Sequence, residues 1–403
     1  MNIRRYINRR TVSRVFGADF ANRLADYFPQ RVPGLPPVDV LGFYSFLRDE
    51  EHGPPLSSSN RPPTNTINWF VPPIGRGSGG HLNILRFVKN LEQMGFVNRI
   101  VVCDYSNTES PATIRKNIED WFFRVDAEIY VHPAQDIPPA YHSIATGWQT
   151  AYPVRSFRST VTRSYFVQDF EPYFYSMGSE YVFAEDTYRL GFFGITAGGW
   201  LKDKLARDYG MRTRAFGFSY DQDLYGPLQS NTRDANRRVL VYARPVTARR
   251  GFELSLFAMK RVTDILADIE VVFAGWDVSN YRLPFRHINA GAVPLEGLPR
   301  LYSECDVALV VSLTNLSLLP LELMACGCPV VSNTGENVEW LLDRTNAELR
   351  APTGDDLAQG IVNVLSDGTR RDELVAGGFA TTKATSWRKE AEVVANLLRE
   401  LAH

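Results

Sequence analysis

The sequence predicts an α/β protein made of two doubly wound, parallel-sheet units that face each other across a cleft. Three observations carry this expectation. Short runs rich in Val, Ile and Phe alternate with segments of helical periodicity, the pattern of parallel strands covered on both faces. The alternation occurs twice, over residues 66–210 and again from residue 238 onward. Between the two series, residues 211–236 collect Asp, Tyr, Gly, Pro and Asn, as a linker does.

The elements follow in order. Residues 1–65 read as a basic N-terminal helix, with Arg4, Arg5, Arg9, Arg10 and Arg14, followed by an arm rich in Pro, Gly and Ser over 29–65. The first series has strands at Thr66–Val71 and at 99–102, 127–131, 143–146, 164–167 and 192–196. Helical patterns lie between them at 81–94, 113–123 and 200–209. The second series has strands at 238–243, 269–274, 307–311 and 329–332, with helices at 252–266, 298–303, 355–365 and 388–402. Domains are therefore expected at 66–210 and 211–384. In such sheets ligands bind beyond the carboxyl ends of the strands, so two facing units make one interdomain cleft.

Composition excludes several classes. A net charge of -1 offers no field to attract nucleic acid. No apolar run approaches the roughly 20 residues of a membrane span. The four cysteines (Cys103, Cys305, Cys326 and Cys328) sit in or beside apolar runs, without the spacing of a disulfide framework or a metal site. The expected setting is cytoplasmic. The N-terminal arginines leave two readings, peripheral contact with an anionic membrane face or a helix packed on the body.

Four constellations carry chemistry. Pro320-Leu-Glu-Leu-Met-Ala-Cys-Gly-Cys-Pro-Val-Val331 places a lone carboxylate, Glu322, in an apolar helix start. Such a group either accepts hydrogen bonds from a ligand or snorkels to solvent, where a helix start favours it anyway. The preceding loop of Thr314, Asn315, Leu316, Ser317 and Leu318 turns its N–H groups toward the same side. Val241-Tyr-Ala-Arg-Pro-Val-Thr-Ala-Arg-Arg-Gly-Phe252 puts Arg244 at a strand end and Arg250 before a helix, positions suited to phosphate. Arg249 competes for the second role. Val71-Pro-Pro-Ile-Gly-Arg-Gly-Ser-Gly-Gly-His-Leu82 offers Gly79, Gly80 and His81 to the cleft, and with Asp104 it also admits a dinucleotide site. Finally, Asp169 and Glu171 follow a strand end among aromatic residues.

The stretch 320–331 resembles the donor-site signature of retaining nucleotide-sugar glycosyltransferases of the GT-B fold, glycosyltransferase family 4. That family's Glu-x7-Glu motif ends at the position of Glu322, and its first Glu falls on Thr314. The Gln168-Asp-Phe-Glu-Pro172 segment resembles the rhamnosyltransferase branch that builds bacterial surface glycans. The resemblance implies Glu322 on the donor ribose, Arg244 and Arg250 on the diphosphate, and Gly275, Ala292 and Val293 beside the base. It implies Asp169 at the acceptor hydroxyl, with Glu171 behind it, and neither metal nor cofactor. It also implies that the segment 385–403 returns to the first domain. The expected partners are a nucleoside-diphosphate sugar, with a deoxyhexose such as rhamnose, and a glycan or lipid-linked glycan acceptor. Thr314 in place of Glu motivates an alternative, a silent nucleotide- or glycan-binding module. The glycine loop motivates a third, an NAD(P)-dependent oxidoreductase.

Overall fold

The computed structural model describes residues 39–48, 50–57, 59–105, 109–228 and 236–403. The N-terminal arginine helix expected from the sequence lies outside them. Seven parallel strands form the first sheet: β1 (Thr66–Val71), β2 (Val97–Cys103), β3 (Glu128–His132), β4 (Ala140–Ala145), β5 (Thr160–Val167), β6 (Phe193–Ala197) and β7 (Thr213–Phe216), in the order β3-β2-β1-β4-β5-β6-β7. Six parallel strands form the second: β8 (Arg237–Tyr242), β9 (Ile269–Ala274), β10 (His287–Gly291), β11 (Val307–Val310), β12 (Val330–Asn333) and β13 (Ala347–Arg350), in the order β10-β9-β8-β11-β12-β13. This is the GT-B architecture, two Rossmann-like domains. In each sheet the winding reverses beside the first strand, at β1/β4 and at β8/β11. The crevices at these reversals are where α/β sheets take ligands.

Burial explains why the strands were legible. Every residue of β1, β4 and β9 is buried, and these segments read as mostly apolar runs broken by Asn68, His142 and Glu270. Three strands depart from the sequence expectation. Edge strand β10 (His-Ile-Asn-Ala-Gly) has no fully buried residue, and β13 (Ala-Glu-Leu-Arg) is half polar. Strand β7 lies in what the sequence suggests is linker, and it pairs with β6 as the last strand of the first sheet. The 17-residue helix Gly368–Ala384 is also absent from the sequence expectation. Its Gly377 lies against the Thr345 carbonyl and its Gly378 against Met324, so these glycines permit close packing rather than ending a helix.

The final helix, Trp387–Glu400, packs on helix Gly79–Gln93 of the first domain. Arg214 pairs with Glu400 at 2.9 Å, and the Tyr141 hydroxyl donates to the Ala402 carbonyl at 3.1 Å. The arm is packed rather than free: Phe46 meets Trp148, Tyr152 and Tyr105 at ring separations of 5.5, 6.1 and 5.9 Å. All four cysteines are buried and free. Among the described residues no helix is long and apolar enough to cross a membrane, and no His, Cys, Asp and Glu group of three or more could hold a metal ion.

Candidate active site

The loop after β11 meets the ends of β5 and β6, and a single residue organises the meeting. Asn315, 1% exposed, follows β11. Its side-chain Nδ2 donates to the carbonyls of Gln168 and Ala197, each at 2.9 Å, at the ends of β5 and β6. Its Oδ1 accepts from Trp340 Nε1 at 3.0 Å. Its backbone N–H donates to Asp169 Oδ1 at 2.8 Å, while the Thr314 hydroxyl donates to Asp169 Oδ2 at the same distance. The Phe170 N–H also donates to Oδ1 at 2.8 Å. Asp169 thus reaches out of the first domain and is held by the second.

The turn that opens the second domain supplies the opposing charge. Gly251 ends it with φ 57°, a left-handed conformation, and an added Cβ would lie 2.7 Å from Val311 Cγ1. This close approach ties the turn to the 311–318 loop. Arg250 Nη1 donates to Ser312 Oγ at 2.6 Å and to the Asn315 carbonyl at 3.3 Å. Burial lowers the Arg250 pKa; Asp169 opposes that shift, and Arg249 and Arg244 reinforce it. Arg249 lies over the Phe174 ring at 4.0 Å, with Nε 3.4 Å from Asp169 Oδ2. Arg244 is half-buried at the end of β8, and no hydrogen bond or ion pair holds its guanidinium among the described residues. Arg249 pairs with Asp169, and Arg250 feels Asp169, Arg249 and Arg244, so the turn carries more positive charge than this one carboxylate offsets.

Glu322 lies at the other end of the same loop, in helix Leu319–Ala325. It is half-buried. Burial pushes its carboxyl up to about 7, against the pull of the Arg86 guanidinium; Asp221 adds to the rise and a hydrogen bond from Tyr225 opposes it. Arg86 comes from the first-domain helix and pairs with Asp221 of the connecting segment.

The remaining expected site residues divide. Gly79 and Gly80 open the helix after β1, and space beside Gly79 is open to 4 Å. The Gly80 carbonyl accepts from Gln168 Nε2 at 3.1 Å. His81 Nε2 is 3.3 Å from the Pro72 carbonyl, its Nδ1 is buried without a partner, and burial lowers its pKa. Gly275 has φ 105° and lies against the Tyr242 ring, while Ala292 is exposed and Val293 half-buried beyond β10. Leu316 is buried and Leu318 precedes the Glu322 helix, so their side chains pack; Ser317 Oγ is buried without a partner.

Three assignments change. Glu171 faces inward: it accepts from Trp148 N–H at 2.8 Å and from the Tyr165 hydroxyl at 2.7 Å. Burial pushes its carboxyl up to about 7, and Asp169 adds to the rise. It secures the start of helix Trp148–Ser156 rather than backing an acceptor group. Asp169, expected at the acceptor hydroxyl, has both oxygens occupied by the second-domain loop and Phe170. The side-chain amide of Asn315 is likewise taken up by the protein and joins the domains. Sequence reading missed Arg86 and Trp340, and it gave Gln168 no role of its own within the 168–172 segment. Arg86 carried a signal, a cation inside the apolar run Ile84-Leu-Arg-Phe-Val88.

The fold and site define a two-domain GT-B protein with a cationic interdomain cleft. Residues 237–362, the second domain, match the family model described as WsaF, C-terminal domain. The O-antigen biosynthesis protein RfbC of Myxococcus xanthus is 33% identical over 354 residues, covering 84% of this chain. The chain spans only 27% of that relative's length. Among solved structures, sucrose-phosphate synthase of Thermosynechococcus elongatus superposes with a TM-score of 0.66 at 14% identity, over 83% of this chain and 98% of that one. Anabaena HepE, in complex with UDP and glucose, gives 0.65 at 14% identity, over 83% and 99%. Staphylococcus aureus TarM, in a complex containing UDP, gives 0.64 at 9% identity, over 83% and 99%. These likenesses extend the GT-B fold to nearly the full length of each neighbour.

Proposed function

We propose that this chain is a glycosyltransferase of surface polysaccharide assembly, moving a sugar from a nucleoside diphosphate to a glycan hydroxyl. The observation that carries the reading is the cationic turn that opens the second domain, in which Arg249 reaches Asp169, Arg250 holds the loop after β11 and Arg244 has no hydrogen bond or ion pair among the described residues. That charge suits the leaving diphosphate, whose developing negative charge preorganised donors stabilise. The second-domain match to the WsaF family and the relation to an O-antigen biosynthesis protein support the same reading.

In this proposal the bond between the sugar C1 and the phosphate oxygen breaks, and a bond from C1 to the acceptor oxygen forms. The acceptor proton passes to the leaving phosphate, on the same face, with retention. Arg244 is free to meet the diphosphate, Arg250 fixes the loop beneath it, and Glu322 accepts from the ribose hydroxyls. The Asn315 joint holds the lobes together and excludes water. The donor sugar is a deoxyhexose such as rhamnose, the acceptor a glycan or lipid-linked glycan, and no resident cofactor takes part. The setting is the cytoplasmic side of the membrane.

The test supplies labelled dTDP-, UDP- and GDP-sugars with oligosaccharide acceptors and follows nucleotide-dependent transfer. Transfer should vanish in Arg244→Ala and Glu322→Ala. Normal turnover by either variant would refute the site, and no transfer with any donor would refute the function.

A further inference from the structure

The loop after β11 and the arginine turn build an anion seat, and the protein fills it with its own carboxylate. Three second-domain donors converge on Asp169: Asn315 N–H at 2.8 Å, the Thr314 hydroxyl at 2.8 Å and Arg249 Nε at 3.4 Å. The third is incomplete, since Arg249 Nε is buried yet makes no hydrogen bond of good geometry. A carboxylate offers two oxygens on a short stem. A phosphate group offers three, and it can reach all three donors together. Phe174 holds the Arg249 guanidinium from its other side at 4.0 Å, so the seat is fixed without a ligand. Arg250 braces its floor through Ser312 Oγ and the Asn315 carbonyl.

We propose that Asp169 is a built-in occupant of a phosphate seat, which a phosphate group of the donor enters by displacing it. This rests on the reading of the second domain as the donor-binding half. It adds that the first domain competes for the same donors. Asp169 joins the lobes while the cleft is empty, and the incoming diphosphate takes over Thr314, Asn315 and Arg249. The released carboxylate then lies beside the bound phosphate and disfavours a second anion. Donor entry and release of Asp169 are one event, while the Asn315 side-chain bonds to the Gln168 and Ala197 carbonyls keep the lobes together.

Inorganic pyrophosphate is the probe, and calorimetric titration reads its affinity in wild type, Asp169→Asn and the double variant Asp169→Asn/Arg249→Met. Asp169→Asn removes the competing charge and should bind pyrophosphate about tenfold more tightly. Adding Arg249→Met should cancel that gain. Equal or weaker binding by a folded Asp169→Asn protein would overturn the proposal, as would absence of pyrophosphate binding in every variant. Asp169→Ser, smaller and still polar, gives the same comparison if the Asn variant does not fold. Sugar transfer by the wild type alongside unchanged pyrophosphate affinity would reject this inference and leave the transferase reading standing.

Discussion

Asn315→Ala is the sharpest test of how the two lobes are joined. The substitution deletes both Nδ2 bonds, to the Gln168 and Ala197 carbonyls, and the acceptor for Trp340 Nε1. Trp340 Nε1 keeps a second partner, the Asn337 carbonyl at 3.1 Å, and so loses little. The two carbonyls lose a donor at a buried junction, at about 1–2 kcal/mol each, for a total of about 2–4 kcal/mol. The backbone N–H to Asp169 survives, so the loss is confined to the side chain. Because the bonds run between domains, the variant should unfold in two separable calorimetric transitions where the wild type shows greater coupling. Asn315→Asp sharpens the comparison. It turns a carboxylate oxygen toward two carbonyls, next to Asp169, and at neutral pH must cost more than Ala. An Ala variant within about 0.5 kcal/mol of wild type, or an Asp variant more stable than Ala, would refute the joint as described.

Three further outcomes follow from the same geometry. Glu171 titrates in the fold at about 7 against 4.5 unfolded, so the native state binds more protons between those values and stability falls as pH rises through that window. The gain from pH 8 to pH 5 should reach on the order of 3 kcal/mol, and thermal unfolding of Glu171→Gln should show a flatter pH dependence by that amount. Arg250→Lys keeps the charge but cannot serve Ser312 Oγ and the Asn315 carbonyl together; urea unfolding should show a loss of about 1–2 kcal/mol. Gly251→Ala should cost about 1–3 kcal/mol through its positive φ and the 2.7 Å approach to Val311, and adding Val311→Ala should fail to restore the backbone part.

What could be read in advance follows burial. Strands such as β1 and β9, covered on both faces, announce themselves as mostly apolar runs despite Asn68 and Glu270. Edge strands β7 and β10 carry polar residues because one side meets solvent, and they read as loop. Helix Gly368–Ala384 hid because its contact face is built on absence of bulk: Gly377 and Gly378 let the Thr345 backbone and Met324 come close. A hydrophobic pattern cannot register a contact made by a missing side chain. The site was legible where one chain segment holds the chemistry, as in the 241–252 turn and the 314–322 stretch. Glu171 was misread because its function depends on Trp148 and Tyr165, which alternation within its own segment does not reveal.

The interdomain joint is of another kind. Asp169 and Thr314 are 145 residues apart, and Gln168 and Asn315 are 147 apart, so no local pattern links them. Each residue alone has an ordinary explanation, a turn-forming acid or a loop amide. Their role exists only once two sheets are wound so that the ends of β5 and β6 face the end of β11. Thr314 then gains a meaning that its motif position withholds. In place of a carboxylate carried by the second-domain loop, the loop carries a hydroxyl, and the acid arrives from the first domain as Asp169. A Glu at 314 would set two carboxylates against each other, at a cost that grows as the cleft closes. A hydroxyl at 314 therefore suits an acid at 169. Thr314→Glu should weaken domain closure in the wild-type background and regain it in Asp169→Asn, a reversal that unfolding cooperativity can measure.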